Sequence, residues 1–217
     1  MSNFDILFEK ILVKEGGYSD SPSDYGNYCA GSLTGTKYGV SSVAYREYYG
    51  RCPSKSEMMN LTIPEAKAIW KRVLWDKIKV DSIKNISIAE LMLDSAGGGA
   101  NGYLHIRQAI NTASGSKVVS ENKTMLISNA EAQEINKIPE RKYFDTLYQI
   151  RLNYFNNHPQ KDIYSAGWIN RLNSVYGSFV YYYKSNSKKI NYVLVGVGLL
   201  AVSGYLYLLK RKGFFNR

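Results

Sequence analysis

The chain is poor in the residues that build metal centres and nucleophile–base relays. Its 217 residues include only two cysteines, Cys29 and Cys52, and two histidines, His105 and His158. Their spacing matches no metal-ligand pattern, so no metal and no other cofactor is expected. Neither histidine stands near a Cys or Ser motif that would make it a catalytic base. Internal repeats and low-complexity tracts are absent, which excludes solenoid and linker-dominated architectures. The amino terminus has no basic n-region, and Glu9 and Lys10 interrupt its apolar residues, so it does not read as a signal peptide. Acidic residues are missing altogether from residues 184–217, which hold seven basic ones. That flank carries most of the net charge of +10, leaving +3 on residues 1–183. The basic excess is therefore local, and no nucleic-acid partner is expected.

What is present begins with an apolar helical stripe. Phe4, Leu7, Phe8, Ile11 and Leu12 recur at helical spacing, and Glu15 comes next, four residues after Ile11. Gly16 and Gly17 follow and supply the permissive backbone that ends a helix. A carboxyl group at the rim of a hydrophobic core is disfavoured in its charged form, so its pKa rises. A carboxylic acid that keeps its proton near neutral pH can protonate a leaving glycosidic oxygen. The plain alternative is a helix-end glutamate in water.

The rest of the chain reads as mainly α. Ser41 to Gly50 reads as a short helix closed by glycine. Thr62-Ile63-Pro64-Glu65 is a capping box with proline in the first turn, opening a helix to about 75. Helices are expected near 86–96, 102–113, 130–137, 140–156 and 165–184, with a polar loop over 112–123. Short strands are expected near 36–40. At this length one sizeable core forms, divided into two lobes. Tyrosine is abundant at 19 residues. Most serve packing, while Tyr18, Tyr25, Tyr28 and Tyr38 flank the glutamate-bearing segment, where a ring face and a hydroxyl suit a sugar.

Residues 190–209 form an uncharged run of 20, bracketed by Lys188-Lys189 and Lys210-Arg211-Lys212. At 1.5 Å per residue a helix of that length spans about 30 Å, the thickness of a hydrocarbon core. Tyr192, Tyr205 and Tyr207 lie near its ends, as interfacial aromatics do. The expected partner there is a lipid bilayer, crossed once by a carboxy-terminal anchor. Gly196, Gly198 and Gly204 are small enough to admit a second helix, which allows weak self-association. The charges on the two sides nearly balance, so orientation stays open.

Glu15-Gly16-Gly17-Tyr18, then Pro22, Asp24 and Thr36-Lys37-Tyr38-Gly39-Val40-Ser41, resembles the opening of glycoside hydrolase family 108, the lysozyme-like N-acetylmuramidases common among phage lysins. Leu61-Thr62-Ile63-Pro64-Glu65-Ala66, Trp70 and Trp75-Asp76 follow in the family's order. Asp94-Ser95-Ala96, Ile106-Arg107-Gln108, Arg151, Tyr154 and Gly167-Trp168 to Arg171 resemble the predicted peptidoglycan-binding region behind it. The resemblance covers residues 4 to 180. It implies a lysozyme-like helical domain with few short strands over 1–92 and a helical peptidoglycan-binding region over 93–184. A hinge (185–189), a transmembrane helix (190–209) and a basic tail (210–217) would complete the chain.

The resemblance further implies a peptidoglycan hydrolase with Glu15 as its catalytic acid and Tyr18, Thr36 and Tyr38 lining the cleft. The second carboxylate stays open. Asp24 fits one of two family aspartates, whereas the other falls on Ser21 with Asp20 one position early. Aspartate beside proline, serine and glycine is also ordinary turn vocabulary. The loop from 25 to 35 is longer than the family pattern and contains Cys29. In an oxidising compartment Cys29 and Cys52 can pair and pin that loop; reduced, they are small apolar residues. A membrane-anchored muramidase of this kind would act from a virion membrane or from the host inner membrane, at entry or at lysis. The competing readings are a lytic transglycosylase, a module that grips glycan without cutting it, and a holin-like membrane protein.

Overall fold

A computed structural model describes residues 3–15 and 17–186, with the side chains of 3, 13–15, 163, 164 and 182–186 left aside. By its contacts the chain divides into two compact units, Met1–Ser178 and Phe179–Arg217. The features below belong to the first, apart from the end of the last helix, residues 179–186.

Helix α1, Asn3–Glu15, buries Phe4, Leu7 and Phe8, the stripe read from the sequence. Phe4 meets Trp75 edge-on at 4.8 Å between ring centroids, a favoured aromatic geometry. The chain then enters a loop-rich segment with a 3-10 turn at Tyr25–Asn27 and a hairpin of two short strands, β1 (Tyr28–Cys29) and β2 (Ser32–Leu33). The strands pair antiparallel, Tyr28 opposite Leu33 and Cys29 opposite Ser32. Between them Ala30 and Gly31 both have positive φ, 48° and 82°, the backbone a two-residue hairpin turn requires. The strands thus fall earlier than expected. Around 36–40 only isolated bridges form, Ser19 with Thr36 and Lys37 with Val40.

Helix α2, Ser42–Tyr49, is capped by Ser41, whose hydroxyl accepts from the Ala44 N–H at 3.1 Å, and closes at Gly50 with φ 76°. A helix absent from the sequence reading follows, α3 (Lys55–Asn60), opened by a capping box between Ser54 and Glu57. The Thr62–Glu65 box opens α4, Ile63–Trp70, with Pro64 in its first turn. Instead of running on as an α-helix to 75, the chain widens into a π-helical turn, Lys71–Trp75.

The core sits among α5 (Ile86–Gly97), α6 (Ala100–Ser114) and α8 (Glu140–Asn156), with α7 (Asn129–Lys137) against α6. Leu91, Met92, Tyr103, Ile106, Ile110, Tyr143, Phe144 and Leu147 are fully buried there. Each such side chain contributes roughly 1.5–3 kcal/mol by leaving water. Gly102 lets α5 and α6 touch, since a Cβ there would lie 1.6 Å from the Ser95 carbonyl oxygen. Helix α5 runs across residues 92 and 93, so the two regions read from the sequence share it. Helix α9, Lys161–Asn186, starts earlier than expected and includes Ser185 and Asn186, the first residues of the expected hinge.

Among the described residues no helix is long and apolar enough to cross a membrane. The segment 190–209, with its glycines, and the basic tail 210–217 lie outside the described residues.

Candidate active site

Glu15 is the last residue of α1, one turn beyond Ile11. Leu7, Lys10 and Ile11 of that helix line a cavity of about 430 Å³. Gly39, Val40 and Ser41 form another wall, and Trp70 and Leu74 a third. Glu90 and Asp94 of α5 and Arg171 of α9 complete it. The cavity therefore opens along the helix that ends in the candidate acid. The carboxylates that line it, Glu47, Glu90 and Asp94, all meet cations. Lys10 donates to Glu90 at 2.8 Å, Lys77 pairs with Glu47, and Asp94 accepts from Arg171 at 2.6 Å and from Arg151 at 2.9 Å.

The segment that forms the wall at 39–41 is held by buried polar contacts. Ser42, fully buried in the first turn of α2, donates to the Gly35 carbonyl at 2.7 Å and accepts from the Thr34 hydroxyl at 2.5 Å. The buried Asn27 donates its side-chain amide to the Ser21 carbonyl at 3.0 Å, and its own carbonyl accepts from Thr34 and Gly35. These bonds satisfy backbone groups that lack a sheet to pair with. Three further ties fasten the loop to α3 and to the segment just before it. Cys29 and Cys52 form a disulfide with Cα atoms 5.7 Å apart. Lys55 pairs with Asp20 at 2.8 Å, and Lys37 donates to the Met59 carbonyl at 2.6 Å.

The sequence-predicted residues occupy this scaffold in different ways. Tyr18 donates to the Thr34 carbonyl at 3.1 Å, and its ring lies over Gly35, where a Cβ would come within 2.4 Å. Gly35 has φ 94°, so both space and backbone require glycine there. Thr36 pairs with Ser19 through its backbone, and its buried hydroxyl meets no partner among the described residues. Tyr38 has φ 51°, and its carbonyl accepts from the Trp70 indole at 3.0 Å, fixing a ring that lines the cavity. Asp20 lies at the surface, and its bond to Lys55 and that ammonium's charge hold its carboxyl below the usual range. Asp24 is exposed and caps the 3-10 turn, one oxygen accepting from Gly26 at 2.8 Å. Among the described residues, Tyr18, Asp20, Asp24, Thr36 and Tyr38 stand outside the cavity lining. They build the wall whose edge reaches it at Gly39.

Sequence reasoning did not single out Lys10, Glu47 or Glu90. Their signal is a tertiary pairing, invisible without the fold. No group of three His, Cys, Asp or Glu among the described residues is placed to hold a metal ion.

Comparison with known proteins bears on the same stretch. Residues 8–98 match the family model described as Glycosyl hydrolase 108. The chain is similar in structure to SagA of Brucella abortus, with a TM-score of 0.65 and 22% identity over 79% of this chain and 90% of that one. That likeness establishes a shared fold. No curated protein sequence matches the chain.

Proposed function

We propose that this chain, a glycoside hydrolase that carries a family 108 domain over residues 8–98, cuts peptidoglycan at the β-1,4 bond between N-acetylmuramic acid and N-acetylglucosamine. One observation carries the reading. The helix that walls the 430 Å³ cavity with Leu7, Lys10 and Ile11 ends in Glu15, the acid of the Glu-Gly-Gly-Tyr motif.

In this reading Glu15 protonates the glycosidic oxygen as an oxocarbenium-like state develops. Its place at the end of the apolar stripe read from the sequence favours the protonated form of such an acid. Water, the substrate's acetamido group or a second carboxylate serves the other face of the sugar. Asp24 is the first choice, because only one of its oxygens is taken by the cap. Asp20 is second, because Lys55 already neutralises it. The wall residues Tyr18, Thr36 and Tyr38 shape the cleft beside the scissile bond. The apolar segment 190–209 anchors the enzyme in a bilayer next to the wall, in a virion membrane or the host inner membrane.

The test is Glu15→Gln in the full chain. Clearing of murein in a zymogram should fall by about a thousandfold or more, a typical loss for a general acid, while murein pull-down persists. Equal clearing by the variant would rule out the assignment. Mass spectrometry of the products separates hydrolysis, which leaves reducing muramic ends, from a lytic transglycosylase, which leaves anhydromuramic ends.

A further inference from the structure

The apolar stripe of α1 is buried only over its first half. Phe4, Leu7 and Phe8 are buried, whereas Ile11 and Leu12, which continue the stripe, are half-buried. Among the described side chains of this helix, none beyond Phe8 is buried. Apolar packing and the Asp5–Lys67 ion pair therefore grip the amino-terminal half. Glu15 closes the helix well beyond Phe8, about 10 Å along the axis at 1.5 Å per residue. A helix end that far past its last described anchor can pivot.

One ion pair reaches the second half. Lys10 donates to Glu90 Oε2 at 2.8 Å, and among the described residues no other ion pair leaves α1 beyond Phe8. Its two partners differ in kind. Glu90 is 8% exposed and sits on α5, where the adjoining Leu91 and Met92 are fully buried. Lys10 is half-buried at the cavity. The carboxylate is thus a fixed point on the helical block, and the lysine is the arm that reaches it. Glu90 and Asp94 lie one turn apart on α5 and both line the cavity. Like charges at that spacing repel. Each is answered from a different helix: Glu90 by Lys10 of α1, Asp94 by Arg151 of α8 and Arg171 of α9. Glu47, the other carboxylate of the cavity, pairs with Lys77, outside α1.

A nearly buried ion pair adds little net stability over apolar packing, but its directional bond fixes one geometry. We infer that the Lys10–Glu90 pair is a strut that sets the acid-bearing end of α1 over the cavity, so that both are positioning residues for glycoside cleavage. The inference rests on the role proposed above for Glu15. Neither side chain has to touch the sugar, because the pair acts through the helix. A misplacement of about 1 Å is enough to slow an enzyme about a hundredfold.

The test removes both charges together in the full chain. Lys10→Ala with Glu90→Ala leaves no unpaired charge at the site and places a good helix former at each position. On soluble murein glycan fragments its kcat should fall about tenfold or more, with KM within about twofold of the parent. Lys10→Arg, whose guanidinium still pairs with a carboxylate, should keep most of the parental kcat. Hydrogen exchange supplies a readout that needs no activity. Backbone amides at 11–15 should exchange about tenfold faster in the double variant, while those of α6 keep the parental rate. Should the double variant unfold, Glu90→Gln, which keeps the side chain's shape, carries the same measurements. A parental kcat, unchanged exchange at 11–15, or an equal loss in Lys10→Arg overturns the strut. Glu15→Gln, run alongside, separates the two claims. If it loses cleavage while the double variant keeps it, the strut falls and the acid stands. If exchange rises at 11–15 in a chain that cuts no murein, the strut stands as the support of α1 and the muramidase reading falls.

Discussion

Residues 17–60 and the α5–α6–α8 block reach order by different physics. The first segment has two strands of two residues and two short helices. It keeps its shape through hydroxyls, amides and a disulfide, with Ser42, Asn27 and Thr34 as buried nodes. The second segment is apolar packing around two buried arginines. Arg107 is 2% exposed and bonds Glu131 and the carbonyls of Asn122, Thr124 and Leu126, fastening the polar loop behind α6. Arg151 is 1% exposed and bonds Asp94. A loop wall built on directional bonds can be shaped finely around a substrate. A helical block built on volume gives that wall a fixed base.

The sharpest way to break this contrast is to attack the block. Arg151→Ala should destabilise the fold by about 3–5 kcal/mol, because Asp94 loses one of two guanidinium partners in a buried site. The Arg151 guanidinium also packs over the Phe155 ring at 4.6 Å, so contact is lost with charge. Urea unfolding measures the loss, and a change under 1 kcal/mol would show that Arg171 alone suffices. Next comes the wall. Replacing Cys29 and Cys52 with serine should cost about 3 kcal/mol by the loop-entropy argument for a bridge of this span. Far-UV helicity should stay near its parent value while murein cleavage falls several-fold. Loss of helicity in step with activity would mean that wall and block are one cooperative unit.

The smallest expected effect reports on the block through pH. His105 sits in it with a folded pKa of about 4, below the ordinary 6.5. Between those values the unfolded chain binds the proton and the folded one does not, so stability falls as pH drops through that window. The loss should grow steadily as pH falls from 6.5 towards 4. His105→Gln should flatten the slope in a series of thermal melts from pH 7 to 4, and an unchanged slope would place the titrating group elsewhere.

These two regions also differ in how much the sequence discloses. Helices with local punctuation were readable: Ser41 before α2 and Gly50 after it, and the Thr62–Glu65 box before α4. The same vocabulary was present for α3 in Ser54 and Glu57, but six residues give too short an apolar pattern to stand out. The hairpin at 28–33 was missed because Ala30 takes a left-handed backbone that alanine rarely adopts. Asp20 and Asp24 carried the right chemistry for a second catalytic group, yet their tasks depend on Lys55 and on the Gly26 amide. The Lys10–Glu90 pair joins residues 80 apart in sequence, and no local pattern announces it. The sequence thus favoured elements that signal locally, while the cavity walls are assembled from distant pieces.

The π-helical turn at Lys71–Trp75 has a consequence for chain length. Its ladder reaches one residue farther than an α-helix, as in the Asp76 N–H bond to the Lys71 carbonyl at 2.9 Å. The extra residue works as a phase adjuster: Trp70 faces the cavity, while Trp75, five positions on, enters the core beside Phe4. Deleting any one residue of that turn would let the ordinary ladder zip through. Everything downstream would then rotate by about 100° relative to α4, trading a tuned angle for a more regular helix.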